Sequence, residues 1–257
     1  MSKSSVMSIE DITSQQVFLG IDPDMRNVSF VFLGKGVENE EANILCACVK
    51  IPTEMRGEKV TGIECLTHFL QRSPSLEINA QDAFCSVEYP NVRRASSKAA
   101  DPQDLIHIAA MAGALAGFVV NTGGAVEMVL PEDWKGSCKK TAHQARICKA
   151  VGWDYHIHET KNKKQIIPDL SPFRGTPIKF SFISQDKDGN PQQKDREPNI
   201  GEWEDILDSL GLALHAARSY KVFVQKELDY LCENGVEYPA ACRRLGVKEE
   251  DFEVKKA

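Results

Sequence analysis

Four carboxylates in this chain have the residue types and positions for one kind of chemistry. Asp22 closes the apolar run "VFLGID". Glu88 closes another, "FCSVE", although Glu is disfavoured within strands. Asp205 and Asp208 stand three apart in "GEWEDILDSLGLALHAARS", which makes them neighbours on one face of a helix. Singly, each has an ordinary explanation: a strand-end carboxylate facing water, or an acidic first turn that suits a helix dipole. Together, two strand ends and a helical D-x-x-D can converge on one point. Carboxylates held that close repel each other unless protons or cations compensate. Hard divalent cations such as Mg²⁺ take oxygen ligands. Two such ions about 3.5–4 Å apart activate a water and stabilise the leaving oxygen of a phosphodiester. On this reading Asp22 is a metal ligand at the point where the acids converge. Glu204, four residues before Asp208, competes for the same role.

The elements that must carry these acids read as mixed α/β. Residues 17–22 and 28–33 are β-runs joined by a turn with Pro23 and Asn27, and 43–51 is a third run. A helix is expected from about Gly57 to Arg72. Residues 82–90 form a fourth strand, ended by Pro90, which cannot continue a ladder. An apolar helix runs from about Pro102 to Asn121, with Pro at its first turn and Gly123-Gly124 after it. A fifth strand covers 125–130, and helices follow near 131–135 and 139–151. Residues 152–200 are polar and interrupted by prolines, and "SQDKDGNPQQKDREPN" has turn and disorder character. A long helix then begins near Gly201 and runs to about Ser219, with Ile206, Leu210, Ala213, Leu214 and Ala217 on one face. This order predicts a five-stranded mixed sheet flanked by helices. The division expected is a flexible tail at 1–16, one domain at 17–219 with 152–200 as a long polar insertion, and a helical extension at 220–257.

Composition sets the surroundings. With 257 residues, 42% apolar and 26% charged, the chain has material for one generous core and a small appendage. The net charge of −6 lacks the overall basic footprint of a nucleic-acid binder, but the local charge is different. Residues 135–164 are rich in lysine and arginine, and Arg93, Arg94 and Lys98 follow Glu88. The eight cysteines contain no CxxC, so they suit neither a zinc site nor a disulfide framework and read as thiols of a reducing compartment. The polar N-terminus is not a signal peptide. The apolar run 105–120 is short for a bilayer and is interrupted by His107, so it reads as a buried helix. A soluble, cytoplasmic protein of a bacterial or phage-infected cell, without a membrane partner, is expected.

At this point the motifs resemble a known family. "FLGIDPDMRNVSFVFL" looks like the first strand and turn of the RuvC-type Holliday-junction resolvases of the RNase H-like superfamily. "FCSVEYP" is similar to that family's strand-four Glu segment, and "DILDSLGLAL" to its final D-x-x-D-A-L helix. The resemblance covers about residues 17–151 and 201–219. It implies an RNase H-like fold with acidic metal ligands at Asp22, Glu88, Asp205 and Asp208. "GSCKKTAHQARICKAVG" resembles the Lys-containing helix of the family, with Lys140 the best match to the active-site lysine and Lys139 an adjacent alternative. The implied activity is a Mg²⁺- or Mn²⁺-dependent endonuclease with two ions per site. It would nick four-way DNA junctions symmetrically as a homodimer. Asp24 stands where a small residue is usual, and the segments 152–200 and 220–257 have no counterpart in the compact bacterial enzymes. These departures point to a viral, phage or otherwise divergent member.

The basic residues follow from that expectation. Lys135, Lys139, Lys140 and Arg146 in one segment, and Arg93, Arg94 and Lys98 in the other, are candidate phosphate contacts. Tyr89 could stack on a base at a junction centre, or simply pack. Gly113 and Gly117 give a small-x-x-x-small spacing that suits either a dimer contact or internal packing. Other readings share the same acids: a D-E-D-D transposase-like enzyme, a nuclease acting on RNA, or a scaffold that binds junctions without cutting them. A sugar-kinase or actin-like ATPase would need a second phosphate loop, which is missing.

Overall fold

The central strand, β1 (Phe18–Pro23), is buried along nearly its whole length, as a strand covered on both faces must be. Side chains alternate across it. Leu19 and Ile21 join one core with Val28, Phe30, Cys85 and Val87. Phe18 joins a second core on the opposite face with Val31, Leu33, Ile44 and Cys46. By the same period of two, Gly20 and Asp22 stand on the Phe18 face. Glu88 stands on that face as well, two steps along from Phe84, which packs against the second core.

A computed structural model describes residues 17–24, 27–35, 42–50, 54–55, 58–59, 83–90, 102–161, 163–169, 178–185 and 191–252. The strands β2 (Asn27–Lys35) and β3 (Ala42–Lys50) complete an antiparallel meander with β1. A two-residue pair, β4 (Glu54–Met55) and β5 (Glu58–Lys59), stands apart from it. β6 (Phe84–Glu88) runs parallel to β1, and β7 (Ala125–Val129) parallel to β6. The pairing of Ile21 with Val87 brings Asp22 and Glu88 to the same level of the sheet. The helix α1 (Pro102–Asn121) connects β6 and β7 and covers the Leu19 face with Met111, Ala112, Leu115 and Val119. After β7 come α2 (Pro131–Trp134), α3 (Lys140–Ala150) and a separate hairpin of β8 (Asp154–Glu159) and β9 (Lys164–Asp169).

The sheet has seven strands, not five. β10 (Ile178–Gln185) pairs parallel to β3, and β11 (Pro191–Lys194) pairs antiparallel to β10, giving the order β11-β10-β3-β2-β1-β6-β7. Both added strands come from the segment whose polar composition suggested turns and disorder. β10 itself carries buried Phe182 and Ile183, which as successive residues point to opposite faces and join the two cores there. Two residues of the expected helix at 57–72 stand in β5 instead, and the others lie outside the described residues.

The helix α4 (Ile200–Glu233) spans 34 residues and crosses the Phe18 face. Asn199 caps it: its side chain accepts from the N–H of Gly201 and Glu202, while Glu202 accepts from the Asn199 N–H. The helix does not stop near Ser219 but continues unbroken, and it packs with α5 (Tyr238–Leu245) around Val224, Leu228, Ala241, Cys242 and Phe252. No glycine or proline interrupts 212–233, so nothing in that stretch ends the helix.

Among the described residues one helix, Gln103–Asn121, is long and apolar enough by composition to cross a membrane. It is not fully buried, as its sequence suggested. One face packs under the sheet, and Ile106, Ala110, Gly113, Gly117 and Val120 line the outer face. Among the described residues, a Cβ added at Gly113 or Gly117 would meet nothing within 4 Å, so neither glycine is needed for packing against them.

Candidate active site

Close approach of α4 to β1 builds the site. At Gly20 any Cβ would overlap the Ser209 carbonyl and the Ala213 amide of α4. The absent side chain lets the helix lie directly on the strand. Ser29 and Ser209, in side-chain contact through their hydroxyls, pin the same crossing; Ser29 Oγ lies 2.8 Å from the Asp205 carbonyl and Ser209 Oγ 3.0 Å from the Ser29 carbonyl, so the two hydroxyl protons are shared among these three contacts. With helix and strand locked in register, Asp208 is brought over the β1 and β6 ends that carry Asp22 and Glu88.

Asp208 is 1% exposed and fully engaged. Its Oδ1 accepts from Gln144 Nε2 at 3.0 Å, and its Oδ2 meets Lys140 Nζ at 2.9 Å and Lys135 Nζ at 3.3 Å. Glu88 Oε2 accepts from the Trp134 indole N–H at 2.8 Å and pairs with Lys135 at 2.9 Å. Lys135 therefore bridges two of the expected acids. Burial alone would lower its ammonium, but Asp208, Glu88 and Asp22 raise it above the ordinary lysine range. Lys140 behaves in the same way: burial opposes its charge, and Asp208 and Glu204 more than restore it.

Asp22 is the acid that the cluster strains. Burial pushes its carboxyl well above the usual range, and the charges of Glu88 and Asp208 push it further, against a smaller downward pull from Lys135 and Lys140. That mutual repulsion places Asp22, Glu88 and Asp208 within electrostatic reach of one another. Asp205, one turn earlier, is pushed up to about 6, first by burial; Lys140 pulls it down, and Asp24, Glu204 and Asp208 add repulsion. Glu204 has its own partners, Lys140 Nζ at 2.7 Å and Lys163 Nζ, with Gln165 Nε2 at 3.4 Å from the β8–β9 hairpin. Burial works against its charge, but the lysine hydrogen bonds hold it below the ordinary carboxylate range.

Glu88 and Asp208, bridged by Lys135, and Asp22 within electrostatic reach offer the oxygen donors that a divalent cation takes. Even so, among the described residues no three Asp, Glu, His or Cys side chains form a ready-made metal cage. The ammonium groups of Lys135 and Lys140 stand among these acids and supply the compensating charge.

The other expected residues scatter. Lys139 is exposed at the N-cap of α3, and Tyr89 is exposed just past β6. Arg146 lies on another side of α3 and lines a separate cavity. Arg93, Arg94 and Lys98 lie outside the described residues. Lys135, grouped by sequence with the phosphate contacts, sits inside the acid cluster. Trp134, Gln144, Lys163 and Gln165 were not singled out as site residues. Gln144 had a signal, since it follows Lys140 by one helical turn and so shares its face. Lys163 stood among the basic residues of 135–164 with nothing to link it to Glu204, and Gln165 had no signal, because only the hairpin's folding back brings them there.

Trp134 is placed by a second bare glycine. A Cβ at Gly211 of α4 would stand 2.5 Å from the Trp134 ring and 2.6 Å from Ile147 Cδ1. The indole slots into that gap, so its N–H reaches Glu88 and the next residue, Lys135, reaches Asp208.

No family model matches the sequence, and no curated protein matches it. Among solved structures the chain is similar to RuvC of Thermus thermophilus, both alone and in complex with a Holliday junction substrate. The TM-score is 0.43 and the identity 15%, over 80% of this chain and 96% of that one. It is also similar to the yeast mitochondrial Holliday junction resolvase Ydc2, with a TM-score of 0.35 and 12% identity over 86% of this chain and 87% of that one. At these values the likeness assigns neither activity nor ligand to this chain.

Proposed function

We propose that this protein is a metal-dependent endonuclease that cuts branched DNA, four-way junctions foremost. The observation that carries this is the convergence of Asp22, Glu88 and Asp208 from β1, β6 and α4 on one face of the sheet, with Lys140 beside them. Asp22, Glu88 and Asp208 would hold Mg²⁺ or Mn²⁺, two ions in the fullest case, with Asp205 or Glu204 completing the set from one turn away. Bound there, the ions would activate water and stabilise the leaving oxygen of a phosphodiester. The residues themselves do the positioning. Trp134 fixes the Glu88 carboxylate, and Gln144 fixes that of Asp208. Lys140 supplies positive charge for a phosphate at the rim, since its side chain is 46% exposed.

Symmetric cutting of a junction suits a two-fold dimer. The outer stripe of α1, with Gly113 and Gly117 bare, is a surface on which two such helices can approach closely. Arg93, Arg94, Lys98 and Lys139 are proposed phosphate contacts, and Tyr89 a stacking contact. A cytoplasmic site of action belongs to the same reading. One observation favours a second reading: Lys135 and Lys140 already neutralise the acids, as a junction-binding scaffold without metal would require.

The test is cleavage of a labelled synthetic four-way junction with Mg²⁺, beside linear duplex and an RNA/DNA hybrid, with Asp22→Asn as control. Paired nicks on the junction, abolished in chelator and by the substitution, establish the enzyme. Cutting of duplex or hybrid alone keeps the metal site and replaces the substrate. Binding of the junction without any cutting leaves the scaffold.

A further inference from the structure

Behind Trp134, on the side away from Glu88, lies a cavity of about 590 Å³ bounded by α2, α3, α4 and the edge strand β7. That size is typical of a small-molecule site. The floor is apolar, made by Trp134, Ile147 and Leu214 around the bare Gly211. The rim is cationic, with Arg146, Arg218 and Lys226. None of these three has an ion-pair partner among the described residues. Two carboxylates also border the cavity. Glu127 faces His215, another lining residue, at 3.6 Å through Oε1, while its Oε2 is buried without a hydrogen-bond partner; Asp133 accepts from the Leu130 N–H at 3.2 Å. His143 lies edge-on to Trp134 at 4.9 Å and is 6% exposed, and its Nε2 is buried without a hydrogen-bond partner. An unclaimed buried ring nitrogen on a cavity wall is a costly feature unless a ligand meets it. Phe223, 55% exposed, adds an open aromatic face at the rim.

Uncompensated cations alone would suit any anion. Cations beside an apolar floor and aromatic edges, with the His143 nitrogen and the Glu127 Oε2 both unclaimed, match a heterocycle that carries an amino group and is joined to a phosphate. We propose that this cavity binds a nucleoside phosphate, either free or as one unit of a strand. The base lies against Trp134 and His143, and the phosphate among Arg146, Arg218 and Lys226. The inference rests on the cavity and not on the metal reading. Because Trp134 is shared, an occupant presses on the indole that holds Glu88.

Isothermal titration of the full chain in chelator tests it, with 2′-deoxyadenosine 5′-monophosphate, 2′-deoxyadenosine and inorganic phosphate as separate probes. The nucleotide is expected to bind at one site, at least tenfold more tightly than either fragment. The double substitution Arg218→Glu with Lys226→Glu, both on exposed positions, is expected to weaken it at least tenfold, while Lys140→Ala leaves it unchanged. Competition with an oligonucleotide, intact or carrying a single abasic site, separates a strand unit from a free nucleotide. Equal binding of phosphate and nucleotide, loss through Lys140→Ala, or no binding at all overturns the proposal. Junction cleavage by the same preparation, assayed with Mg²⁺, reports separately on the nuclease reading.

Discussion

At the residue scale, the acids are held together by their compensating cations. Lys135 touches both Glu88 and Asp208, so Lys135→Met removes two charge-assisted contacts at once. In chelator it is expected to cost about 1.5–3 kcal/mol of stability. Adding Mg²⁺ is expected to stabilise this variant more than the wild type, and urea unfolding in both conditions measures the difference. Protonation supplies a second prediction. Asp205 has a folded-state value of about 6 against an ordinary 3.8, so the folded state binds the proton more tightly. Its contribution is fully present below 3.8 and lost as pH rises through about 6. His143 is the opposite case. Burial pushes its imidazole down to about 4 from 6.5, so its contribution is present above 6.5 and lost as pH falls through about 4. In chelator, Asp205→Asn should gain on the wild type as pH rises from 4 to 6.5, and His143→Gln should gain as pH falls across the same range. Urea midpoints at four pH values check both signs.

At the element scale, one contact between a helix and a strand decides the site. Gly20→Ala drives a methyl group into the α4 backbone, where no flexible side chain can move aside. Overpacking of this kind costs about 1–3 kcal/mol and occasionally more. The expected result is a lower unfolding midpoint together with lost cleavage, since displacing α4 carries Asp208 away from Asp22. Unchanged stability would mean that the helix does not rest on the strand. The outer face of α1 gives the second prediction at this scale. A Cβ at Gly113 meets no other described residue, so the folded chain should tolerate Gly113→Arg, with a gain of up to about 1 kcal/mol from replacing a mid-helix glycine. If the stripe joins two copies, the variant runs as a monomer in light-scattering chromatography where the wild type runs as a dimer.

At the scale of the whole molecule, the sheet separates two cores, and a third lies beyond the site. Helix α4 belongs to two of them. Its first half covers the Phe18 face, and its second half packs with α5 and Phe252. Phe252→Ala is expected to remove about 3–5 kcal/mol of local stability from that last core. Hydrogen exchange should then rise in α5 and the end of α4, while the sheet and the acid cluster keep their protection. Faster exchange everywhere would mean that the third core is no separate unit.

Much of this was written in local patterns. Period two along "FLGID" and "FCSVE" places Asp22 and Glu88 on the faces of Phe18 and Phe84, and the core strands followed their apolar runs because burial acts residue by residue. The D-x-x-D spacing brought Asp205 and Asp208 forward, but helical phase alone did not separate them. That depended on how α4 rotates over β1, which the bare Gly20 and the Ser29–Ser209 contact settle. Strands β10 and β11 were hidden for a related reason: their flanks are polar, and only the open edge of β3 supplies the partner that makes a strand of them. Lys135 is the plainest case. In sequence it is one lysine of a basic segment. Its place between Glu88 and Asp208 exists only because Gly211 leaves room for Trp134, a contact made 77 residues along the chain. Residue types and local periodicity determined which groups were available and which faces they took. Long-range packing decided which of them meet, because that depends on the space left by side chains far apart in sequence.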